Sequence, residues 1–463
     1  MRISEVKPTD EKLIELMLKD SIGRNADLAR FADILSSIEG SASIALDSTW
    51  GSGKTFFVKQ LKILFDAFNE TSNPDVGKYR EEIREIWSKF NQTEKPLVRH
   101  KVIYYDAWEN DNDNDPILSI MYSILKTEVT EMNLTEKNGI GDIVFAVVDG
   151  LRGTNLAGIV EKVQGNDLLE EIRKQKNVKE KIGEFLDSLF TEQVGSSEEK
   201  QRMIIIVDEL DRCNPGYAVK LLERIKHYFD NDRITFLFST NLSQLEHTIR
   251  KHYGQEFDAG RYLNRFFNRI WPLKKVDVDK FCISTGLNKR KYPYDLVCRK
   301  VIDYFDLEMR DIKQFFKTAK TVAYNYAYAK GTGTGWGQPG LELGICFILP
   351  VMIGLKMINN DKFNLFIEGK YIDPLLGVLT RIDHRRLLEL CSQEQTFYEL
   401  GGQGEKVKVE DKIRELYNSV FVEQYALGEN YTTVGDVVFY KETKGDLLTI
   451  MSGLSEWSDY SDR

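Results

Sequence analysis

The sequence of 463 residues is short of the side chains that build thiol and soft-metal chemistry. Its five cysteines, Cys213, Cys282, Cys298, Cys346 and Cys391, are scattered without a close pair, and none of its five histidines stands at ligand spacing from a cysteine. That argues against a zinc site or a disulfide framework and for reduced thiols. Positive charge is short as well, with 63 Lys and Arg against 72 Asp and Glu and a net charge of −9. A surface built for nucleic acid is therefore not indicated by charge, and only a local basic groove stays open to one. Long apolar runs are missing too. Residues 138–163 are interrupted by Asp142, Asp149 and Arg152, and residues 341–358 carry Glu342 and Pro350. A span needs about 20 apolar residues, so the first stretch is read as a surface-packed helix, the second as a buried core helix, and no membrane span is expected. The opening "MRISEVKPTDEK" is polar, unlike a signal peptide. A cytoplasmic location is the expectation.

What is present is a regular alternation of strand and helix. A chain of this length is expected to hold two or three domains. Residues 9–39 look helical, with Thr9 or Asp10 as N-cap and Gly40 as stop. "SIALD" (43–47) reads as a buried strand, and the helix after it repeats Phe57, Leu61, Leu64 and Phe65 on one face. "KVIYYDAW" (101–108), "MIIIVDEL" (203–210) and "ITFLFSTN" (234–241) read as further strands, apolar on both faces as parallel strands between helices are. A mostly helical stretch covers 116–198, and Asn214-Pro215 opens a helix with Leu221, Leu222, Ile225 and Phe229 inward. The predicted fold class is α/β: a three-layer core on a parallel sheet, with a long helical insertion and a mainly helical C-terminal region. The expected division is a helical lead-in at 1–40, the core at 41–275 with its insertion at about 110–200, a helical lid at 276–330, and a mainly helical domain at 331–463. Residues 330–340 and 400–408 read as loops.

The turn between the first strand and its helix carries a specific pattern. A phosphate loop has glycine, four variable residues, then Gly-Lys and Ser or Thr. Here those positions are Ser48, Thr49, Trp50, Gly51, Ser52, Gly53, Lys54 and Thr55, so serine replaces the first glycine. The chemistry demands a loop whose backbone N–H groups converge on a polyphosphate at a helix N-terminus. Gly51 and Gly53 allow that approach, Lys54 reaches the outer phosphates, and the Thr55 hydroxyl ligates Mg²⁺. Thr49, Trp50, Ser52 and Phe56 complete the expected nucleotide contacts. Such a loop needs carboxylates from another strand end, and "IIIVDELDR" supplies Asp208 for the magnesium and Glu209 as general base. Asp211 and Arg212 either brace that turn or act directly. Asn241, ending the next strand, is either a γ-phosphate sensor or the N-cap of the following helix. No guanine-reading N/T-K-x-D element is found, which favours ATP.

"STWGSGKT", "VIYYDAWENDNDNDP", "IIIVDELDRCNP" and "YLNRFFNRIWPL" together resemble the successive motifs of the KAP family of P-loop NTPases. The resemblance covers about residues 20–320. It implies an additional-strand ATPase fold, with the strand of 234–239 between the two motif strands. It also suggests a place in bacterial antiphage defence. Relatives with membrane spans carry them between the two phosphate-site motifs, where 110–200 shows none. By resemblance alone, Arg24 and Asn25 edge the adenine pocket.

ATPases of this kind are often completed by an arginine from a neighbour. Arg261, Arg265 and Arg269 recur every four residues, as one helical stripe that is either a solvated face or a finger, with Arg265 the first choice. Arg212, or Arg310 or Lys313 in a helical lid, are alternatives. Trp50 would shield the phosphates or stack on a partner, and Trp108 reads as a core or subdomain contact. The resulting expectation is an Mg²⁺-dependent ATPase acting as a nucleotide-dependent switch, with a homo-oligomer or a partner protein. The alternatives are a nucleotide-gated scaffold with negligible turnover and a DNA-stimulated ATPase.

Overall fold

The computed structural model describes residues 9–69, 73–91, 97, 100–113, 115–131, 180–186, 202–229, 231–284, 293–331, 338–382, 409–422, 430–435 and 437–452. They fall into two compact units, residues 1–281 and 282–463.

The first unit is organised by five strands: β1 (Ala42–Asp47), β2 (His100–Asp106), β3 (Arg202–Asp208), β4 (Ile234–Thr240) and β5 (Arg269–Pro272). All pair in parallel, in the order β2-β3-β4-β1-β5. As the motifs implied, β4 lies between β1 and β3.

Side chains alternate across a strand, and that parity assigns each residue to a layer. Ile44, Leu46, Val102, Ile204, Ile206 and Leu237 face a layer made by α1 (Asp10–Leu18), α2 (Asn25–Ser36) and α3 (Lys54–Phe68). Ala45, Ile103, Tyr105, Ile205, Val207, Phe236 and Phe238 face the opposite layer of helices Pro116–Glu131, Pro215–Tyr228 and Leu242–Tyr253. Both faces are buried, which is why the strands read as continuous apolar runs. Phe57, Leu61, Leu64 and Phe65 are all buried on the inner side of α3. Burying each is worth about 1.5–3 kcal/mol, so the helix that carries the phosphate loop is firmly seated.

The chain departs from the expected helices in two places. Residues 9–39 form two helices, because the chain turns back between them with Asp20 at φ 45° and Gly23 at φ 72°. A Cβ at Gly23 would sit 2.4 Å from that of Asp277, so only glycine fits. Thr9 does cap the first helix, accepting from the Lys12 N–H at 3.3 Å. Further on, "GRYLNRFFNRIW" is not one helix. A short helix, Ala259–Leu263, gives way to a turn and then to β5, because Asn268 and Leu273 are drawn into the edge of β1 through bonds to Ser43 and Asp47. Arg261, Arg265 and Arg269 therefore share no helical stripe.

The second unit is mainly helical, with helices such as Pro293–Phe305, Met309–Gly331 and Val409–Phe421, plus an antiparallel hairpin of β6 (Tyr431–Val434) and β7 (Val437–Tyr440). Among the described residues one apolar helical run, Pro339–Ile358, is long enough to cross a membrane, and it is mostly buried. Pro350 falls inside that run, just after a π-helical turn at Gly344–Ile348, where the regular hydrogen-bond ladder that proline cannot complete is already interrupted. Residues 138–163, most of the 116–198 stretch and the loop at 400–408 lie outside the described residues.

Candidate functional site

The strand ends place the site. At the end of β1, the Asp47 carboxylate accepts from the Leu242 N–H at 2.9 Å, and the Ser48 N–H donates to the Thr240 carbonyl at 3.4 Å, anchoring the loop to the end of β4. The loop then turns through Gly51 at φ 84° and Gly53 at φ 91°, left-handed positions that glycine occupies without strain. Gly53 is the N-cap of α3 and makes no side-chain cap. The first-turn N–H groups of Lys54, Thr55 and Phe56 lie where a helix has no internal partners for them, while the Phe56 ring packs half-buried against the α3-side core.

Lys54 is buried, and its ammonium donates to the loop carbonyls of Ser48 at 2.6 Å and Thr49 at 3.0 Å. Burial pulls its proton affinity down, and the carboxylates of Asp211, Asp208 and Asp47 pull it back up. Ser52 is 2% exposed, and its buried hydroxyl has no hydrogen-bond partner. A buried orphan hydroxyl within a ring of left-handed glycines suits a loop shaped for an acceptor-rich ligand.

On β3 the parity that faces Ile204 and Ile206 toward α3 does the same for Asp208. Asp208 is buried and meets Thr55 there. The Tyr104 hydroxyl donates to one of its carboxylate oxygens at 2.9 Å, and the Glu209 N–H to the other at 3.0 Å. Burial raises its pKa, against the pull of the Ser239, Thr55 and Tyr104 side chains.

Glu209 takes a left-handed conformation at φ 59°, uncommon for a residue with a side chain. Its N–H also donates to the Ser239 carbonyl at 3.2 Å. Burial pushes its pKa up to about 7, with Arg212 opposing and Asp208, Asp106 and Asp211 adding. Its carboxylate pairs with the Arg212 guanidinium at 3.0 Å.

That guanidinium in turn lies over the Trp108 ring at 5.4 Å. Trp108 is 51% exposed, so it is a surface residue beside the site rather than a core contact. Asp211, buried, accepts from the Trp50 indole N–H on one oxygen and from the Thr240 hydroxyl at 3.1 Å on the other. Trp50 thus ties the phosphate loop to the turn after β3.

Among the described residues no three His, Cys, Asp or Glu side chains gather as an all-protein metal cage. The donors on hand, one hydroxyl and one carboxylate, suit Mg²⁺, which takes few protein ligands and leaves the rest to water and phosphate.

Asn241 is the N-cap of Leu242–Tyr253, accepting from the Gln244 N–H at 3.2 Å. Arg265 is exposed in the turn after Ala259–Leu263, its carbonyl accepting from Lys226 at 3.0 Å. Arg310 and Lys313 belong to Met309–Gly331 of the second unit. Asn25 ties α2 to α1, donating from its amide to the Met17 carbonyl at 2.7 Å. Arg24 is buried against the phosphate loop, donating to the Ser52 carbonyl at 3.0 Å and to the Lys274 carbonyl.

Tyr104 had a sequence signal, one residue short of sufficient. Tyr104 and Tyr105 adjoin in a strand buried on both faces, so period two says they diverge without saying which meets the site. Tyr105 takes the opposite face, where its hydroxyl meets that of Tyr217.

Solved structures that share limited similarity with the chain include the following two. The Aeropyrum pernix ORC1 protein in complex with DNA is 12% identical, with 92% of each chain covered and a TM-score of 0.28. PCH-2 of C. elegans is 12% identical, with 66% of this chain and 58% of that one covered and a TM-score of 0.21. No curated protein matches the sequence. The model of the KAP family P-loop domain matches residues 24–270, from the arginine behind the loop to the last strand of the sheet, and the chain belongs to that family.

Proposed function

We propose that the first unit binds ATP with Mg²⁺ and hydrolyses it, and that the cycle works as a switch. The supporting observation is the convergence of two distant segments: Thr55 beside Asp208, with Lys54 in the electrostatic field of Asp208 and Asp211. Loop amides from Gly51 to Phe56 would hold the phosphates, with Thr49, Trp50 and Ser52 around them. Lys54 would bind the outer phosphate oxygens, and Thr55 and Asp208 the metal, which when bound offsets negative charge on the phosphates. Glu209 accepts the proton of a water whose oxygen bonds to the γ-phosphorus as the bond from that phosphorus to ADP breaks. Asn241 spends its carbonyl oxygen on the helix cap, which leaves the sensor role to its amide nitrogen. Arg265, exposed on the first unit, suits a role on a neighbouring copy, and self-association with ATP is expected. Antiphage defence is the biology in which such a switch would act.

The test is calorimetry of ATP·Mg²⁺ with phosphate release. Lys54→Ala should weaken ATP binding by at least about a hundredfold, since a buried charge-assisted contact to phosphate is removed. Glu209→Gln should keep binding and lose about 10²–10⁴-fold in turnover. Undiminished ATP affinity in Lys54→Ala would sink the proposal. A nucleotide-gated scaffold with negligible turnover is the second reading, favoured by the Arg212 pairing that occupies the Glu209 carboxylate. Background phosphate release from both wild type and Glu209→Gln, with ATP still bound, would select it.

A further inference from the structure

Against the phosphate loop stands a charged group that the nucleotide chemistry does not use. Arg24 precedes α2 and is 4% exposed. One terminal nitrogen of its guanidinium donates to the Ser52 carbonyl at 3.0 Å, and the other donates to the Lys274 carbonyl. The fork thus clasps two backbone carbonyls from segments 222 residues apart in sequence, 52 and 274.

The Ser52 carbonyl shares a peptide plane with the Gly53 N–H. No cis peptide occurs among the described residues, and in a trans peptide the carbonyl and the N–H point in opposite directions. Fixing the one toward Arg24 therefore fixes the other away from it. Gly53, at φ 91° and ψ 28°, has no Cβ to decide between orientations of that plane. The glycine that lets phosphate come close also lets the peptide turn over, since glycine populates positive and negative φ alike. Something outside the loop has to remove that freedom before the ligand arrives.

We infer that Arg24 is a positioning residue that presets the phosphate loop, holding the Ser52–Gly53 peptide so that the Gly53 N–H is ready for a phosphate oxygen. The inference rests on the nucleotide site proposed above. It assigns Arg24 to the phosphates and not to the adenine.

The clasp is itself braced. Asn25 donates to the Met17 carbonyl at 2.7 Å and, through its backbone, to Asp20 at 3.2 Å. Lys274 pairs with Asp27 at 2.7 Å, Lys280 pairs with Asp20, and the Asp277 N–H donates to the Ile22 carbonyl at 3.1 Å. The segment that follows β5 is thereby strapped to the turn carrying Arg24. An arginine suits the task, because its planar fork serves two acceptors with little loss of freedom and stays charged when buried.

The test uses the full chain and inorganic tripolyphosphate with Mg²⁺ as a ligand that has phosphates and no base. Calorimetry would compare wild type, Arg24→Gln and Arg24→Lys against tripolyphosphate and ATP, with kcat, KM and a thermal melt of each unliganded protein. Losing a charge-assisted clasp should weaken both ligands in Arg24→Gln by on the order of tenfold and by equal factors. KM should rise with kcat little changed, while the melt keeps its cooperativity. Arg24→Lys should recover part of the affinity, since one ammonium replaces a two-pronged fork. Tripolyphosphate bound as tightly by Arg24→Gln as by wild type overturns the inference, and so does a loss confined to ATP, which would move Arg24 to the base. If Arg24→Gln does not fold, wild-type tripolyphosphate affinity in Arg24→Lys overturns it. Wild type that binds neither ligand removes the nucleotide site itself.

Discussion

The two units handle buried polarity in opposite ways. Among the described residues every buried charged side chain lies in the first: Arg24, Lys54, Asp66, Asp115, Asp208 and Asp211. In the second the buried polar residues are Ser419 and Thr443. The second is packed closely through backbone and ring with no buried charge among its described residues. A Cβ at Gly377 would fall 2.1 Å from the Tyr304 ring, and Phe366, Tyr417 and Phe421 meet with centroids 5.1–5.2 Å apart. Burying a charge costs free energy unless it is paired, and each of these at the site is paired, to a loop carbonyl or to a neighbour across the sheet edge. The first unit therefore trades stability for preorganised chemistry, while the second is held by shape. That difference can be broken from either side.

The largest stability effect is expected in the second unit. Phe366 is fully buried, and its carbonyl accepts the Tyr417 hydroxyl at 2.6 Å. Phe366→Ala should cost about 3–5 kcal/mol in denaturant unfolding, through lost burial and the cavity left behind. A loss below about 1 kcal/mol, within what a relaxing site can absorb, would mean that this core is not the packed one described.

A smaller effect, on function, is expected at Trp50. The residue is 46% exposed, so its packing contributes little, but its indole N–H is held by the buried Asp211. Trp50→Phe keeps the ring and removes the donor. The expected outcome is a drop in kcat/KM of roughly tenfold, the order of one hydrogen bond to a charged group, with the unliganded melting point almost unmoved. The reverse pattern, an intact kcat/KM and a lower melting point, would make Trp50 a packing residue and blur the contrast between the units.

How far the site could be read from sequence follows from the same physics. Strands β1 to β4 were legible because runs buried on both faces are apolar throughout, and the loop was legible because its requirements are local: two glycines, Lys54 and Thr55 in eight consecutive positions. Asp208 followed, since a carboxylate ending such a strand has one place to go. Residues acting from a distance were not legible as such. Arg24 is 28 positions from Ser52, and Trp50 is 161 from Asp211. Nothing in either neighbourhood encodes the partner. The arginines of 261–269 misled for another reason. Spacing by four fits a helix, but it equally spans a short helix, a turn and a strand, and what decides is the pairing of Arg269–Pro272 with β1, a long-range event. Of the two readings of Trp108, a core contact fails: a large aromatic is usually well buried, whereas here it lies outside beneath Arg212.

The finest test of the contrast uses Glu209 against itself. At φ 59° its backbone sits in a region that costs an L-residue about 1–2 kcal/mol and glycine almost nothing. Glu209→Gly should relieve that strain and the crowding of carboxylates from Asp208, Asp106 and Asp211. Against this stand the lost ion pair with Arg212, partly solvated and so worth little, and the greater freedom of glycine in the unfolded chain, about 0.5–1 kcal/mol. The balance is a gain of about 0.5 kcal/mol in the unliganded protein, within the span of those terms, together with loss of turnover. Glu209→Gln is the control: it removes the charge and keeps the strained backbone, so it should lose turnover while staying less stable than Glu209→Gly. If Glu209→Gly is the less stable of the two in denaturant unfolding, the left-handed turn is held by the side chain rather than imposed on it, and the end of β3 carries no stored strain.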